Sequence, residues 1–293
     1  MRIILHAGAH CTDDDRLLTT LIRNKEILTK AKVAVPHPES YGILLRGMLN
    51  QTLKKELVSE TDKPFVETIL KGAPTNSETI ILSNAVFFGF PTEILRSGQL
   101  YPNAITLLEK FLQLFPGDDV HLYFSIRNPA SFLPAVFEAS GLAEFSEVLA
   151  GTNPLEVQWS ELFNRIRHAF PQLPVTLWCN EDSPFIWGQI LRQMTQLPMA
   201  QMLSGDFDVF SEIVTKSGFE RFKSYIGSHP TLTLRQLGIV MGAFAEKFGR
   251  REIILEEVEA PGWDQTLIQD LTDLYYEDLK SLPQIPNVNL ILP

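Results

Sequence analysis

Residues able to ligate metals, accept protons or hold anions crowd one short stretch: His6-Ala7-Gly8-Ala9-His10-Cys11-Thr12-Asp13-Asp14-Asp15. An apolar run, Ile3 to His6, leads into it. Leu17, Leu18, Leu21, Ile22 and Leu28 then recur at helical spacing up to about Lys30. A strand, small-residue turn and helix in that order present free backbone N–H groups and the positive end of a helix dipole, which suits a phosphate. The side chains in the turn oppose that use, because no Lys stands there and three carboxylates do. At ~4 Å and an effective dielectric near 20, each carboxylate–phosphate contact costs about 4 kcal/mol. The competing role for the acidic triplet is structural: Thr12 as N-cap, with Asp13 to Asp15 in the first helical turn complementing the dipole.

Two other chemistries compete for the same residues. His6, His10, Cys11, Asp13 and Asp15 include good metal-ligand types, although their spacing matches no specific metal motif and His6 reads as a packed core residue. Cys11 beside a helix N-terminus suits a reactive thiolate, which the neighbouring carboxylates counteract, so an inert thiol is the expectation. Further along, Arg127-Asn128-Pro129 follows the strand-like run Val120 to Ile126 directly. A cation at the carboxyl end of a core strand suits an anionic ligand or a salt bridge to Asp13, Asp14 or Asp15. Asn180-Glu181-Asp182 follows a run ending at Cys179, and these carboxylates suit loop ordering or capping.

The elements that position these residues are legible as continuous apolar runs of strand length: Ile3–His6, Glu78–Ser83, Val120–Ile126 and Val175–Trp178. Short strands are expected at 31–35 and 287–292. Helical patterns cover roughly 41–57, 63–70, 104–115 and 154–170, a stretch opening at Ser183-Pro184, and 263–282. Phe87-Phe88-Gly89-Phe90-Pro91 reads as a loop; Phe87, Phe88, Phe90 and Tyr101 suit lining a pocket or anchoring a loop, the anchor being the expectation, and Trp178 and Trp187 read as core. Alternating strands and helices predict a three-layer α/β fold, with a mainly parallel sheet and helices on both faces. Residues 1–293 read as one domain, with a helical insertion or cap at about 206–248.

The composition is that of an ordinary globular chain, 45% hydrophobic and 20% charged. A formal net charge of −10 argues against a general nucleic-acid surface. Two cysteines, Cys11 and Cys179, are too few for a disulfide framework. No apolar stretch reaches the roughly 18 residues of a spanning helix. A cytoplasmic protein without membrane insertion is the expectation.

Three strand ends, in order, resemble those of the sulfotransferase superfamily, a P-loop-related α/β fold. His6-Ala7-Gly8-Ala9-His10-Cys11-Thr12 follows the frame of its phosphosulfate loop, H-x-G-x-x-K-T-G-T-[ST]. Arg127-Asn128-Pro129 follows its R-[DN]-P motif, and Asn180-Glu181-Asp182 is similar to its Y-E-D-like motif. The segment from Leu274 to Val288 resembles the last helix and strand of bacterial members. The resemblance implies 3′-phosphoadenosine 5′-phosphosulfate as cofactor, bound by Gly8, His10, Cys11, Thr12 and Arg127. It also implies sulfuryl transfer to an acceptor, a small molecule or a protein, that the sequence does not name. No catalytic residue is identified: the family Lys falls on Cys11, its Gly-Thr-Thr on Asp13-Asp14-Asp15, and the Ser eight residues after the Arg on Ala135, with Ser131 out of register. The degenerate loop opens an alternative, a non-catalytic binding or interaction protein on the same fold. A metal-dependent enzyme using the His/Asp cluster is a further reading.

Overall fold

The computed structural model describes residues 1–54, 62–254 and 258–293. The strands are β1 (Arg2–His6), β2 (Val33–Ala34), β3 (Thr79–Ser83), β4 (Leu95–Arg96), β5 (Gln99–Leu100), β6 (Asp119–Ile126), β7 (Val175–Cys179) and β8 (Val288–Ile291). Six of them form a central all-parallel sheet in the order β2-β3-β1-β6-β7-β8, and β4 and β5 form a separate hairpin. The four expected core strands lie side by side, and β1 is paired along its whole length with β3 and β6. Their apolar runs are continuous because both faces are covered.

One face carries α1 (Arg16–Arg23), α2 (Lys25–Lys30) and α9 (Ser183–Thr195), whose Leu17, Leu28 and Trp187 pack with Ile4 and Trp178. The other face carries α3 (Pro38–Leu53), α4 (Asp62–Gly72), α5 (Ala104–Leu114), α6 (Pro129–Ser140), α7 (Phe145–Leu149), α8 (Trp159–Ala169) and α14 (Gln265–Ser281). Their apolar sides join Ile3, Leu5 and Phe124 in the main core. Residues 55–57, the end of the helix expected over 41–57, lie outside the described residues. The helices α10 (Asp208–Ile213), α11 (Lys216–Ser228), α12 (Leu234–Phe248) and α13 (Arg251–Ile254) follow α9. Phe210, Val214, Phe222 and Met241 form a separate small core there. Among the described residues no helix is long and apolar enough to cross a membrane.

The expected cap of the first helix is corrected. Asp13 to Asp15 precede α1 rather than forming its first turn, because Asp14 (φ 46°) and Asp15 (φ 58°) adopt the left-handed conformation that short polar side chains tolerate. Thr12 does not cap the helix; its hydroxyl donates to the Ala9 carbonyl at 2.9 Å. Asp13 supplies the cap instead, its Oδ2 accepting the Leu17 N–H at 3.2 Å and its carbonyl the Arg16 N–H at 2.8 Å. The helix expected to run to about Lys30 breaks at Asn24, whose side chain is turned to the Thr20 carbonyl and the Ser204 backbone. Ser183 is likewise the first residue of α9, not its cap; a 3₁₀ turn, Asn180–Asp182, precedes it.

Candidate functional site

The chain leaving β1 enters α1 on one face of the sheet, and the chain leaving its neighbour β6 enters α6 on the other. That divergence opens the crevice where open α/β sheets bind ligands. Here the crevice is crossed by the protein's own groups. Arg127 Nη1 donates to the Cys11 carbonyl at 2.6 Å, and its Nε donates to Ser131 Oγ at 3.0 Å. A salt bridge to Asp13, Asp14 or Asp15 is one of the two roles the sequence offers Arg127. Among the described residues no ion pair joins them; Asp14 pairs with Arg16 instead, at 3.1 Å. Ser131, out of register with the family motif, is one turn into α6 and therefore within reach of the guanidinium.

The β1 loop is held by the sheet and by a tyrosine. Ala7 N–H donates to the Tyr123 carbonyl (3.1 Å) and Ala9 N–H to that of Ser125 (2.9 Å), extending the ladder past the strand end. Gly8 has φ +112°, and a Cβ there would meet the Ala85 carbonyl oxygen at 3.0 Å. The glycine is thus required by the backbone whether or not a ligand binds. His10 N–H donates to Tyr101 Oη at 3.2 Å. The His10 ring is engaged at both nitrogens: Nδ1 with Tyr101 Oη (2.8 Å) and Nε2 with the Gly89 carbonyl (3.1 Å). A carbonyl only accepts, so Nε2 carries the proton and Tyr101 donates to Nδ1. Burial lowers the His10 pKa to about 4. His10 therefore pins the loop to the segment after β5 and does not face the crevice.

His6 is fully buried, stacked on Trp178 with ring centroids 5.7 Å apart, and its Nδ1 is 2.9 Å from Ser83 Oγ. Burial lowers its pKa, against the pull of Asp13 and Asp15. Cys11 is half-buried, and burial raises its thiol pKa despite nearby Arg127, so the expected inert thiol is what the surroundings favour. Both cysteines are free. Among the described residues no group of three or more His, Cys, Asp or Glu side chains is placed to share a metal ion.

The structure brings Gly8, Cys11, Thr12 and Arg127 to one edge and adds groups from β7 and α14. Glu181 Oε1 accepts the Asn128 N–H at 2.7 Å, and its Oε2 accepts from Tyr275 Oη at 3.2 Å. Asn128 caps α6 through Ala130 N–H (3.0 Å) and reaches Thr272 Oγ1 (3.0 Å). Burial raises the pKa of Glu181 and of Tyr275, and pushes the Cys179 thiol up to about 12. Glu181 thus orders the loop around Arg127, as its place after β7 suggested. Tyr101 is one of the aromatics read as a loop anchor, and it anchors the β1 loop. Tyr275 lies in the segment 274–288 singled out by resemblance, whereas Thr272 carries no local sequence signal, and all three arrive from distant parts of the chain.

This architecture defines a three-layer α/β protein whose topological switch point is bridged by the hydrogen bonds of Arg127 to Cys11 and Ser131. No protein-family model matches the chain, and no curated protein matches it.

Proposed function

We propose that this chain is a sulfotransferase-like α/β protein of the cytoplasm that has given up the phosphosulfate donor and acts as a binding or interaction protein. The observation that carries the reading is the Arg127–Cys11 hydrogen bond. A phosphate loop turns backbone amides toward its anion. Here a loop carbonyl is turned toward the one cation of the motif, and the amides of Ala7, Ala9 and His10 are committed elsewhere. Releasing Arg127 for an anion forfeits a charge-assisted bond of about 1.5–3 kcal/mol. The anion then meets the carboxylates of the loop, without the Lys that Cys11 replaces. The ordered motifs at the strand ends and the location of Arg127 support the family resemblance; the bridged crevice supports loss of its chemistry.

The test compares thermal unfolding with and without about 1 mM 3′-phosphoadenosine 5′-phosphate, for the natural chain and for a Cys11→Lys/Asp13→Gly/Asp14→Thr/Asp15→Thr variant that rebuilds the family loop. A ligand with Kd near 1 mM stabilises by only about 0.4 kcal/mol at that concentration. The natural chain is expected to show no more than this, and the rebuilt loop a larger gain. Clear stabilisation of the natural chain, together with formation of 3′-phosphoadenosine 5′-phosphate when the phosphosulfate donor and a hydroxyl or amine acceptor are supplied instead, would restore sulfuryl transfer as the function.

A further inference from the structure

Helix α12 buries one side only. Leu237, Val240, Met241, Phe244 and Phe248 pack into the small core of the 207–248 segment. The opposite side presents Arg235, Gly238, Ile239, Gly242, Ala243 and Glu246, spaced three and four apart and so aligned as one stripe. Ile239 is 64% exposed. Glycines inside a helix are destabilising choices, and no neighbouring heavy atom lies within 4 Å of a Cβ placed on Gly238 or Gly242. Nothing packed against them in the described chain requires the missing side chains.

We propose that this face receives a second copy of the chain, the two α12 helices packing antiparallel about a twofold axis between Val240 and Met241. The stripe is complementary to itself in that orientation. Ile239 of one protomer meets Gly242 of its partner, Ala243 meets Gly238, and Arg235 at one end meets Glu246 at the other. A parallel pairing would instead oppose Arg235 to Arg235 and Glu246 to Glu246, so the charges select the antiparallel arrangement. Among the described residues neither Arg235 nor Glu246 has an ion-pair partner within its own chain. The contact is isologous, as closed dimers require. One helix face falls below the area of a standard interface, and the net charge of −10 opposes approach. The association is accordingly weak and concentration-dependent.

Sedimentation equilibrium of the full chain, from about 1 μM to about 1 mM at moderate salt, tests this over the range of weak interfaces. The apparent mass should rise from that of one 33.1 kDa chain toward twice that value. Glu246→Arg should weaken dimerisation about tenfold by opposing two arginines across each end. Ile239→Glu should abolish it, and the Arg235→Glu/Glu246→Arg exchange should restore it. Recovery in the double variant, which carries the same surface substitution, separates a lost contact from a lost fold. A single-chain mass throughout overturns the proposal. So does association indifferent to Glu246→Arg or Ile239→Glu, or an exchange variant that does not recover.

Discussion

His10 shows how a residue with the right type and position for chemistry is committed to structure. Its ring spends both nitrogens on Tyr101 and Gly89, and its pKa falls from 6.5 to about 4. The folded state therefore holds the neutral ring where the unfolded chain would take up a proton. Stability drawn from this difference is fully present above pH 6.5 and is lost as the pH falls toward 4, by about 3 kcal/mol in all. Buried His6 is shifted the same way and adds to the same loss. Proton NMR titration should find the His10 ring neutral down to about pH 5, with the urea midpoint falling as the solution is acidified below pH 6.5. A His10 titration near its ordinary value would contradict the burial of the ring, which is what lowers its pKa. Tyr101 was legible as a loop anchor but its pairing with His10 was not, because the two are far apart in the chain and Gly89 contributes only a carbonyl.

At the scale of elements, the four core strands were readable because burial on both faces leaves continuous apolar runs, such as Ile3-Ile4-Leu5 and Leu122-Tyr123-Phe124. Helix ends were less so. Capping logic placed Asp13 to Asp15 inside α1, but it does not register the left-handed turn at Asp14 and Asp15 that delays the helix to Arg16. The break at Asn24 depends on Ser204, far along the chain. Tertiary capping is invisible for the same reason. The buried Asp278 on α14 accepts the Trp159 N–H at 2.7 Å and the Ser160 N–H at 3.1 Å, satisfying the start of α8 from another helix. Trp159 in turn donates from Nε1 to the Arg127 carbonyl at 2.8 Å, so this cap also supports the crevice. Asp278→Ala should cost about 2 kcal/mol by stranding two buried donors. Chemical denaturation should show that loss, and Asp278→Asn should recover part of it by keeping an acceptor. An unchanged midpoint for the alanine variant would mean that α8 is capped by something else.

For the whole molecule, the order β2-β3-β1-β6-β7-β8 sends the chain to opposite faces after β1 and β6, and so creates a ligand crevice by topology alone. Whether that crevice is open depends on a few atoms, and fold does not decide it. The sequence placed Arg127 at the right edge and left it between an anionic ligand and a salt bridge to Asp13, Asp14 or Asp15; among its contacts the structure shows the Cys11 carbonyl and Ser131. A guanidinium at a strand end satisfies either arrangement, and only the turn of the loop backbone distinguishes them. The most direct measurement is calorimetric titration of the natural chain with 3′-phosphoadenosine 5′-phosphate at low salt, where electrostatic attraction is least screened. A crevice bridged by its own hydrogen bonds should give no binding tighter than about 1 mM, whereas a dissociation constant near 1 μM, worth about −8 kcal/mol, would show that the loop opens and that the donor site is intact.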